Sequence, residues 1–229
     1  MPAAVRLGSD ILSFLAACGI RDAELPRLGI LETFRQDLEQ ANRVVNLTRI
    51  TSPEDYWLKH VADSLSLGLY MPDILRQPRV AADIGFGGGF PLIPLAWANQ
   101  QLHITGFEAK KKRTAFVETE IRKLGFSNIR VVDQQAREAA RQPEFAETFD
   151  LVIARAVKDG AYMVRHCRGL LRHSPAACLV LYKTPVAINA ELQSTRREAE
   201  RFGCFVQVSP EFTLPRNAGT RQFLVVRRQ

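Results

Sequence analysis

The chain has 229 residues, of which 46% are hydrophobic and 24% are charged, a composition typical of a soluble protein built on one domain of ordinary size. Its 31 basic and 24 acidic residues give a net charge of +7, which favours a polyanionic partner such as nucleic acid. No apolar run reaches the length of a membrane-spanning helix, no signal-peptide pattern is present, and the four cysteines lack metal-ligand spacing. We therefore expect a cytoplasmic protein without membrane association or a bound metal.

The first third of the chain has the apolar spacing of helices. It predicts a helical extension over 1–78, packed on the rest of the protein, with helices at 5–17 and 24–45. A third helix has a strong start signal, because Ser52 is a good N-cap residue and Pro53 suits the first helical position.

The third predicted helix carries a cluster of polar side chains. His60 lies three residues before Asp63 and Lys59 lies four residues before it, so the three share one helix face. One interpretation is a surface ion pair. The other places this polar edge over the mouth of a ligand site formed by the strands that follow.

A glycine-rich loop follows the first predicted strand. Asp83, Gly85, Gly87 and Gly89 match D-x-G-x-G-x-G, the loop of class I S-adenosylmethionine (SAM) methyltransferases, whereas the dinucleotide fingerprint G-x-G-x-x-G fails in both registers. Glycines allow positive φ and let a ligand approach bare backbone at the start of a helix. The other interpretation is a glycine-rich turn of any α/β protein.

An acidic residue ends the second predicted strand. Glu108 lies 21 positions after Gly87, close to the interval at which a carboxylate meets ribose hydroxyls in a Rossmann unit. A carboxylate can accept two hydrogen bonds from a diol, so Glu108 is a candidate ribose ligand. It could equally cap the next helix.

From residue 79 onward, strands and helices alternate, which predicts βαβ units and a parallel sheet. Together with the glycine loop, this defines a predicted SAM-dependent methyltransferase domain over 79–229. We predict strands at 80–84, 102–108, 129–133, 149–154, 177–183, 205–212 and 221–227. Helices are predicted at 90–99, 110–124, 135–141, 158–172 and 186–202. The expected fold class is α/β, a Rossmann-like, mostly parallel seven-stranded sheet with helices on both faces, whose last strand inserts antiparallel.

Four basic residues, Lys110, Lys111, Lys112 and Arg113, open the helix after Glu108. Cations at a helix N-terminus oppose the helix dipole, so this placement is locally unfavourable. Three interpretations are open for these residues: contact with phosphate, packing beside a cofactor, or a solvated basic turn.

Several segments, in matching order, resemble the RsmG (GidB) family over about residues 10–229. They are Asn46-Leu47-Thr48, 59–65, 83–91, 93–96, Lys112-Arg113, Ala154-Arg155-Ala156, Tyr182-Lys183 and 221–226. Members of this family methylate N7 of one guanine in 16S ribosomal RNA with SAM, which leaves as S-adenosylhomocysteine. The resemblance implies this activity and cofactor, the small ribosomal subunit as partner, and a monomer.

The resemblance also implies roles for individual residues. With the glycine loop, the predicted cofactor-binding set is Asp83, Gly85, Phe86, Gly87, Gly89, Phe90, Glu108, Ala136, Arg137 and Arg155. The predicted RNA-binding set is His60, Lys112, Arg113, Lys183 and Arg221. The family usually has Asp, Gly, Arg, Glu and Gly where Glu108, Leu92, Gln135, Arg137 and Thr184 stand, so only a backbone contact is expected at Arg137.

The implied chemistry needs no general base, because guanine N7 carries an in-plane lone pair and no proton. Arg155 is therefore the candidate catalytic residue through positioning, and Phe86 or Phe90 either stacks on the base or packs in the cofactor loop. Three alternatives remain: a ribose 2′-O-methyltransferase with Lys183 as base, an RNA-binding protein without catalysis, and a dehydrogenase.

Overall fold

The computed structural model describes residues 5–228, which form an eight-stranded sheet with helices on both sides. The strands are β1 (Arg79–Ile84), β2 (Leu102–Phe107), β3 (Ile129–Val132), β4 (Leu151–Arg155), β5 (Cys178–Lys183), β6 (Cys204–Val208), β7 (Phe212–Thr213) and β8 (Thr220–Arg228). Their order is β3-β2-β1-β4-β5-β8-β6, with β7 paired to β8. Strands β1 to β5 are parallel, and β8 runs antiparallel between β5 and β6. This confirms the predicted α/β fold class and the antiparallel insertion of the last strand.

The predicted count of seven strands is one too low, because the strand expected at 205–212 is divided into β6 and β7. Pro210 lies at the break and has no N–H to donate to a ladder. Ser209 closes the ladder instead: its N–H donates to the Phe223 carbonyl at 2.9 Å, and its hydroxyl accepts the Phe223 N–H at 2.8 Å.

The described residues form ten α-helical segments, numbered here in chain order. They are α1 (Ser9–Cys18), α2 (Leu28–Val45), α3 (Pro53–Asp55), α4 (Asp63–Leu65), α5 (Leu67–Tyr70), α6 (Leu92–Ala98), α7 (Lys111–Leu124), α8 (Ala136–Ala139), α9 (Gly160–Cys167) and α10 (Pro185–Glu200). Short 3₁₀ turns occupy Asp22–Arg27, Pro72–Leu75, Arg168–Leu170 and Pro215–Asn217. None of the helices between residues 5 and 228 is both long and apolar enough to cross a membrane.

The predicted third helix is interrupted by a π-helical segment. It begins as expected, since the Ser52 hydroxyl accepts the N–H of Asp55 at 3.1 Å. Between α3 and α4, Tyr56–Ala62 winds as a π-helix and buries six of its residues, including Trp57 and His60. A π-helical turn is frequent at functional sites, and here it directs His60 towards the sheet.

Several predicted helices are shorter in the structure, for local reasons. The helix expected at 135–141 ends at Ala139, shortly before Pro143, which disfavours helical backbone at the residue preceding it. The helix expected at 158–172 begins only at Gly160, because the Asp159 carboxylate accepts the N–H of Tyr162 at 2.8 Å and acts as N-cap.

Side chains of each strand alternate between two hydrophobic layers. Ile153 and Val180 join the layer that holds the N-terminal helices, α6 and α7, whereas Val152 and Leu181 join the layer beneath α8, α9 and α10. Buried residues of the N-terminal helices and of the sheet therefore form one continuous core. The division of the chain into an extension and a catalytic domain at residue 78 stays a prediction.

Candidate functional site

A cleft of about 650 Å³ opens at the carboxyl ends of β1, β2 and β4. This edge is where ligands bind in open α/β sheets. Its lining includes the glycine loop, the end of β2 and the starts of α8 and α9, and brings together Gly85, Glu108, Ala136 and Arg137 of the predicted cofactor set.

The glycines of the loop serve different purposes. Gly85, Gly87 and Gly89 all have positive φ, of 71°, 56° and 103°. A Cβ on Gly89 would lie 3.0 Å from atoms of Ile93 and Phe34, so this glycine is required by the packing of α2 and α6. A Cβ on Gly87 would meet no atom closer than 3.8 Å. Packing therefore leaves room at Gly87, and its positive φ is what makes glycine suited to this position.

Glu108 ties the glycine loop to the end of β2. Its carboxylate accepts the N–H of Gly87 at 3.2 Å and that of Lys110 at 3.0 Å, and lies 3.6 Å from the guanidinium of Arg113. The residue is only 7% exposed. Glu108 thus binds the N–H at the start of the following helix, as one interpretation of the sequence held, and it also lines the cleft; its role as a ribose ligand stays a prediction.

Asp83 lies beneath the loop as a fully buried carboxyl group. Neither of its oxygens has a hydrogen-bond partner among the side chains and backbone of residues 5–228. Burial raises the pKa of Asp83 to about 8, although the positive charge of Arg155 and the nearby backbone N–H of Leu92 oppose this shift. Such an unsatisfied acidic group beside a cleft is a marker of a functional site.

The polar cluster on the third helix is an internal network, so its interpretation as a surface ion pair is wrong. His60 and Asp63 are 7% and 4% exposed, and Lys59 pairs with Asp55 at 2.8 Å instead of with Asp63. Asp63 accepts from Nη1 of Arg155 at 3.1 Å and from Nε of Arg221 at 3.0 Å. One buried carboxylate therefore holds two arginines from β4 and β8.

His60 is a neutral ring in a fixed tautomer. Its Nδ1 lies 3.0 Å from Nη2 of Arg155, which can only donate, so Nδ1 accepts and the proton resides on Nε2. Nε2 then donates to the Thr48 hydroxyl at 2.8 Å. Burial and the charge of Arg155 lower the pKa of His60 to about 3, and the ring stacks on Phe90 with centroids 4.0 Å apart.

The two phenylalanines of the glycine loop are packing residues in this conformation. Phe86 is 1% exposed and covers Gly106 of β2, where a Cβ would lie 2.6 Å from its ring. Phe90 is 4% exposed and packs against His60 and Tyr56. Neither ring can stack on a substrate base without leaving the core, which favours the packing interpretation.

The remaining predicted residues lie on different sides of the cleft. Arg155 points away from the cleft towards the N-terminal helices, where Nη1 also donates to the Lys59 carbonyl at 3.0 Å. Lys183 is mostly buried and pairs with Glu191 at 2.9 Å. Arg221 is held by Asp63, whereas Lys112 is exposed.

Two lining residues, Ala156 and Val157, were not among the predicted site residues, although Ala156 belongs to the family-like segment Ala154-Arg155-Ala156. Ala156, directly after β4, has a φ of 54°, a left-handed conformation that is uncommon for alanine and is often found at ligand sites. It turns the chain so that Val157 covers Gly85, where a Cβ would lie 2.8 Å from Cγ1 of Val157. Alanine and valine carry no chemistry that would have marked them in advance.

Comparisons with known proteins agree on one family. The GidB family model, described as rRNA small subunit methyltransferase G, matches residues 27–217. The ribosomal RNA small subunit methyltransferase G of Oenococcus oeni is 33% identical over 189 residues, which cover 82% of this chain and 76% of that protein. The protein of the same name from a Synechococcus species is 33% identical over 218 residues, covering 93% and 82%.

Solved structures share the fold at low sequence identity. The structure of M. jannaschii TYW2 in complex with AdoMet has a TM-score of 0.52 and 15% identity, and the match covers 69% of this chain and 74% of that chain. The ribosomal protein L11 methylase of Lactobacillus delbrueckii has a TM-score of 0.51 and 13% identity, covering 71% and 78%. These similarities show the fold alone.

Proposed function

The chain belongs to the rRNA small subunit methyltransferase G family, and from this membership we propose that it transfers a methyl group from SAM to N7 of one guanine in 16S ribosomal RNA. The observation that carries the proposal is the cleft at the carboxyl edge of the sheet, which is lined by Gly85 and by Glu108, whose carboxylate accepts the N–H of the neighbouring Gly87.

The residues of the cleft fit SAM. Glu108 suits the ribose hydroxyls, since a carboxylate accepts hydrogen bonds from a diol. Gly85 would meet the amino-acid moiety with its backbone, and Ala136 and Arg137, which line the cleft, would border the adenine. The buried, unsatisfied carboxyl of Asp83 lies beneath the loop, and the positive charge of a cationic ligand would favour the ionised form of this carboxyl. SAM, when bound, supplies a methyl group on a positively charged sulfur.

The protein's task in this reaction is orientation. Guanine N7 has a lone pair in the plane of the ring and no proton to remove, so an in-line displacement needs positioning and a preorganised electrostatic environment. Arg155 would contribute by holding the end of β4 and the N-terminal helices in register through His60 and Asp63. Lys183 and Arg221 are each already in an ion pair. Only the N–H groups of their ammonium and guanidinium groups that are not used in these pairs would contact RNA.

The test is transfer of labelled methyl from SAM to small ribosomal subunits that lack this modification, followed by mass mapping of the labelled nucleotide. Label on guanine N7 of the 16S RNA, absent when no enzyme is added, is the expected result. Label on a ribose 2′-hydroxyl would identify the alternative reaction instead. Binding of SAM without any transfer to the subunit or to free 16S RNA would overturn the proposal.

A further inference from the structure

We propose that the phosphate backbone of the RNA substrate docks in a basic groove formed by residues 45–49 and 110–113, on the side of the cofactor cleft that faces the N-terminal helices. The inference rests on the proposed function and deepens it. The basic groove has a volume of about 740 Å³ and is lined by Val45, Asn46, Leu47, Thr48, Arg49, Lys110, Lys111, Lys112 and Arg113.

The cations of the basic groove are available for a ligand. Arg49, Lys110, Lys111 and Lys112 are exposed, and none of them pairs with a carboxylate anywhere in residues 5–228. Phosphate oxygens are the natural partners for such a cluster, because neutralising phosphates with Lys and Arg releases condensed counterions.

Lys112 and Arg113 of the RNA-binding set implied by the family resemblance lie in the basic groove, whereas Lys183 and Arg221 of the same set are engaged in ion pairs within the protein. Lys183 is bound to Glu191 at 2.9 Å, and Arg221 is bound to Asp63 at 3.0 Å. Their charges are largely compensated within the protein. The main electrostatic attraction for RNA therefore comes from the basic groove, on the opposite side of the cleft from Lys183.

The arrangement of charge in the basic groove is unfavourable for the isolated protein. Lys111 and Lys112 occupy the first turn of α7, with Lys110 as its N-cap residue, where positive charge opposes the helix dipole. Arg49 lies on the facing wall and adds repulsion between like charges. A polyanion in the groove would remove both penalties at once.

The basic groove leads directly into the cofactor cleft. Lys110 and Arg113 line both, and Arg113 also lies 3.6 Å from Glu108. A strand whose phosphates follow the groove would thus deliver a neighbouring base to the edge where the glycine loop and Glu108 meet. The facing wall is tied to the core, because the Thr48 backbone N–H and carbonyl are both held by the side chain of Asn42. The groove is therefore a preformed surface.

The experiment compares two triple variants with equal changes of charge. The first, Arg49→Gln/Lys111→Gln/Lys112→Gln, neutralises the basic groove but spares the two residues shared with the cleft. The control, Arg76→Gln/Arg196→Gln/Arg197→Gln, removes three exposed cations that line neither the groove nor the cleft. Dissociation constants for a 16S RNA fragment and for small subunits are measured across a salt series, and SAM binding is measured separately.

The groove variant should bind RNA more weakly and reduce the slope of log K against log salt by about 2 to 3, since each phosphate contact contributes about 0.7 to 0.9. SAM affinity should be unchanged, and the control should keep a slope closer to that of the unmodified protein. An unchanged slope in the groove variant would overturn the inference. So would normal affinity for free RNA combined with weakened binding to intact subunits, because the groove would then face a protein. If the unmodified protein binds RNA through the groove yet transfers no methyl, the proposed reaction fails while the docking surface stands.

Discussion

Arg155 at the end of β4 donates a hydrogen bond from Nη2 to Nδ1 of His60 at 3.0 Å, although 95 positions separate the two residues in the chain. The same guanidinium reaches Asp63, which also holds Arg221 from β8. This network joins the N-terminal helices to two strands at the edge of the sheet that carries the cleft. The stability of the protein and the shape of its site therefore depend on the same few polar side chains.

Replacement of Asp63 should be strongly destabilising. Asp63→Ala leaves the guanidinium groups of Arg155 and Arg221 without their shared carboxylate, and breaking a buried ion pair in this way costs about 3 to 5 kcal/mol. The matched control is Asp55→Ala, which removes the exposed partner of Lys59 and should cost less than about 1 kcal/mol. Urea unfolding of both variants measures the difference. Similar losses in the two variants would show that the buried network adds nothing.

His60 should make the stability of the protein sensitive to acid. Its folded pKa of about 3 lies below its ordinary value of 6.5, so between these values the unfolded chain binds a proton that the folded chain excludes. This contribution to stability is present above pH 6.5 and is lost as the pH falls towards 3, by about 1.4 kcal/mol per pH unit. A His60→Gln variant, whose amide can still accept a hydrogen bond from Arg155 and donate one to Thr48, should lack this dependence of stability on pH. The free energy of unfolding at pH 7, 6 and 5 checks the prediction, and parallel profiles for the two proteins would contradict it.

Asp83 should change the stability of the protein with pH in the opposite direction to His60. Its folded pKa of about 8 lies above the ordinary 3.8, so the folded chain binds the extra proton and stability falls as the pH rises from about 4 to 8. Asp83→Asn mimics the protonated carboxyl and should become progressively more stable than the unmodified protein over this range, by about 1.4 kcal/mol per pH unit. The comparison uses chemical unfolding at pH 5, 6.5 and 8 without SAM. A constant difference between the two proteins would mean that Asp83 is ionised throughout.

Gly87 should be needed for the cofactor more than for the fold. Alanine there adopts a φ of 56° at a cost of about 1 kcal/mol, and its Cβ would meet only Nη1 of Arg113 at 3.8 Å and the Gly85 carbonyl at 4.0 Å, without a clash, next to the carboxylate of Glu108. Gly203→Ala is a suitable control, because Gly203 has a φ of 60°, open surroundings and no place in the cleft. Both variants should lose similar stability, but only Gly87→Ala should raise the dissociation constant for SAM, by about tenfold or more. Calorimetric titration measures the dissociation constants for SAM. Equal SAM affinities in the two variants would show that Gly87 is not part of the binding site.

The main elements of the fold could be predicted because their signals are local. Short apolar runs marked the strands, and the capping signals at Ser52 had a counterpart in the structure. The errors were also local in origin: Pro210 divides a strand into two, and the Asp159 cap delays the start of α9. The glycine loop and Glu108 could be paired in advance, because a strand, a tight turn and the next strand constrain their separation.

The sequence by itself therefore determined the sheet, the loop and the acidic residue that faces it. Only the tertiary structure decided that His60 is neutral and buried, that Asp63 serves Arg155 and Arg221 together, and that Arg49 faces the lysines of α7. The physical reason is that periodicity and propensity depend on neighbours along the chain, whereas desolvation, ion pairing and the convergence of charge depend on residues that only folding brings into contact.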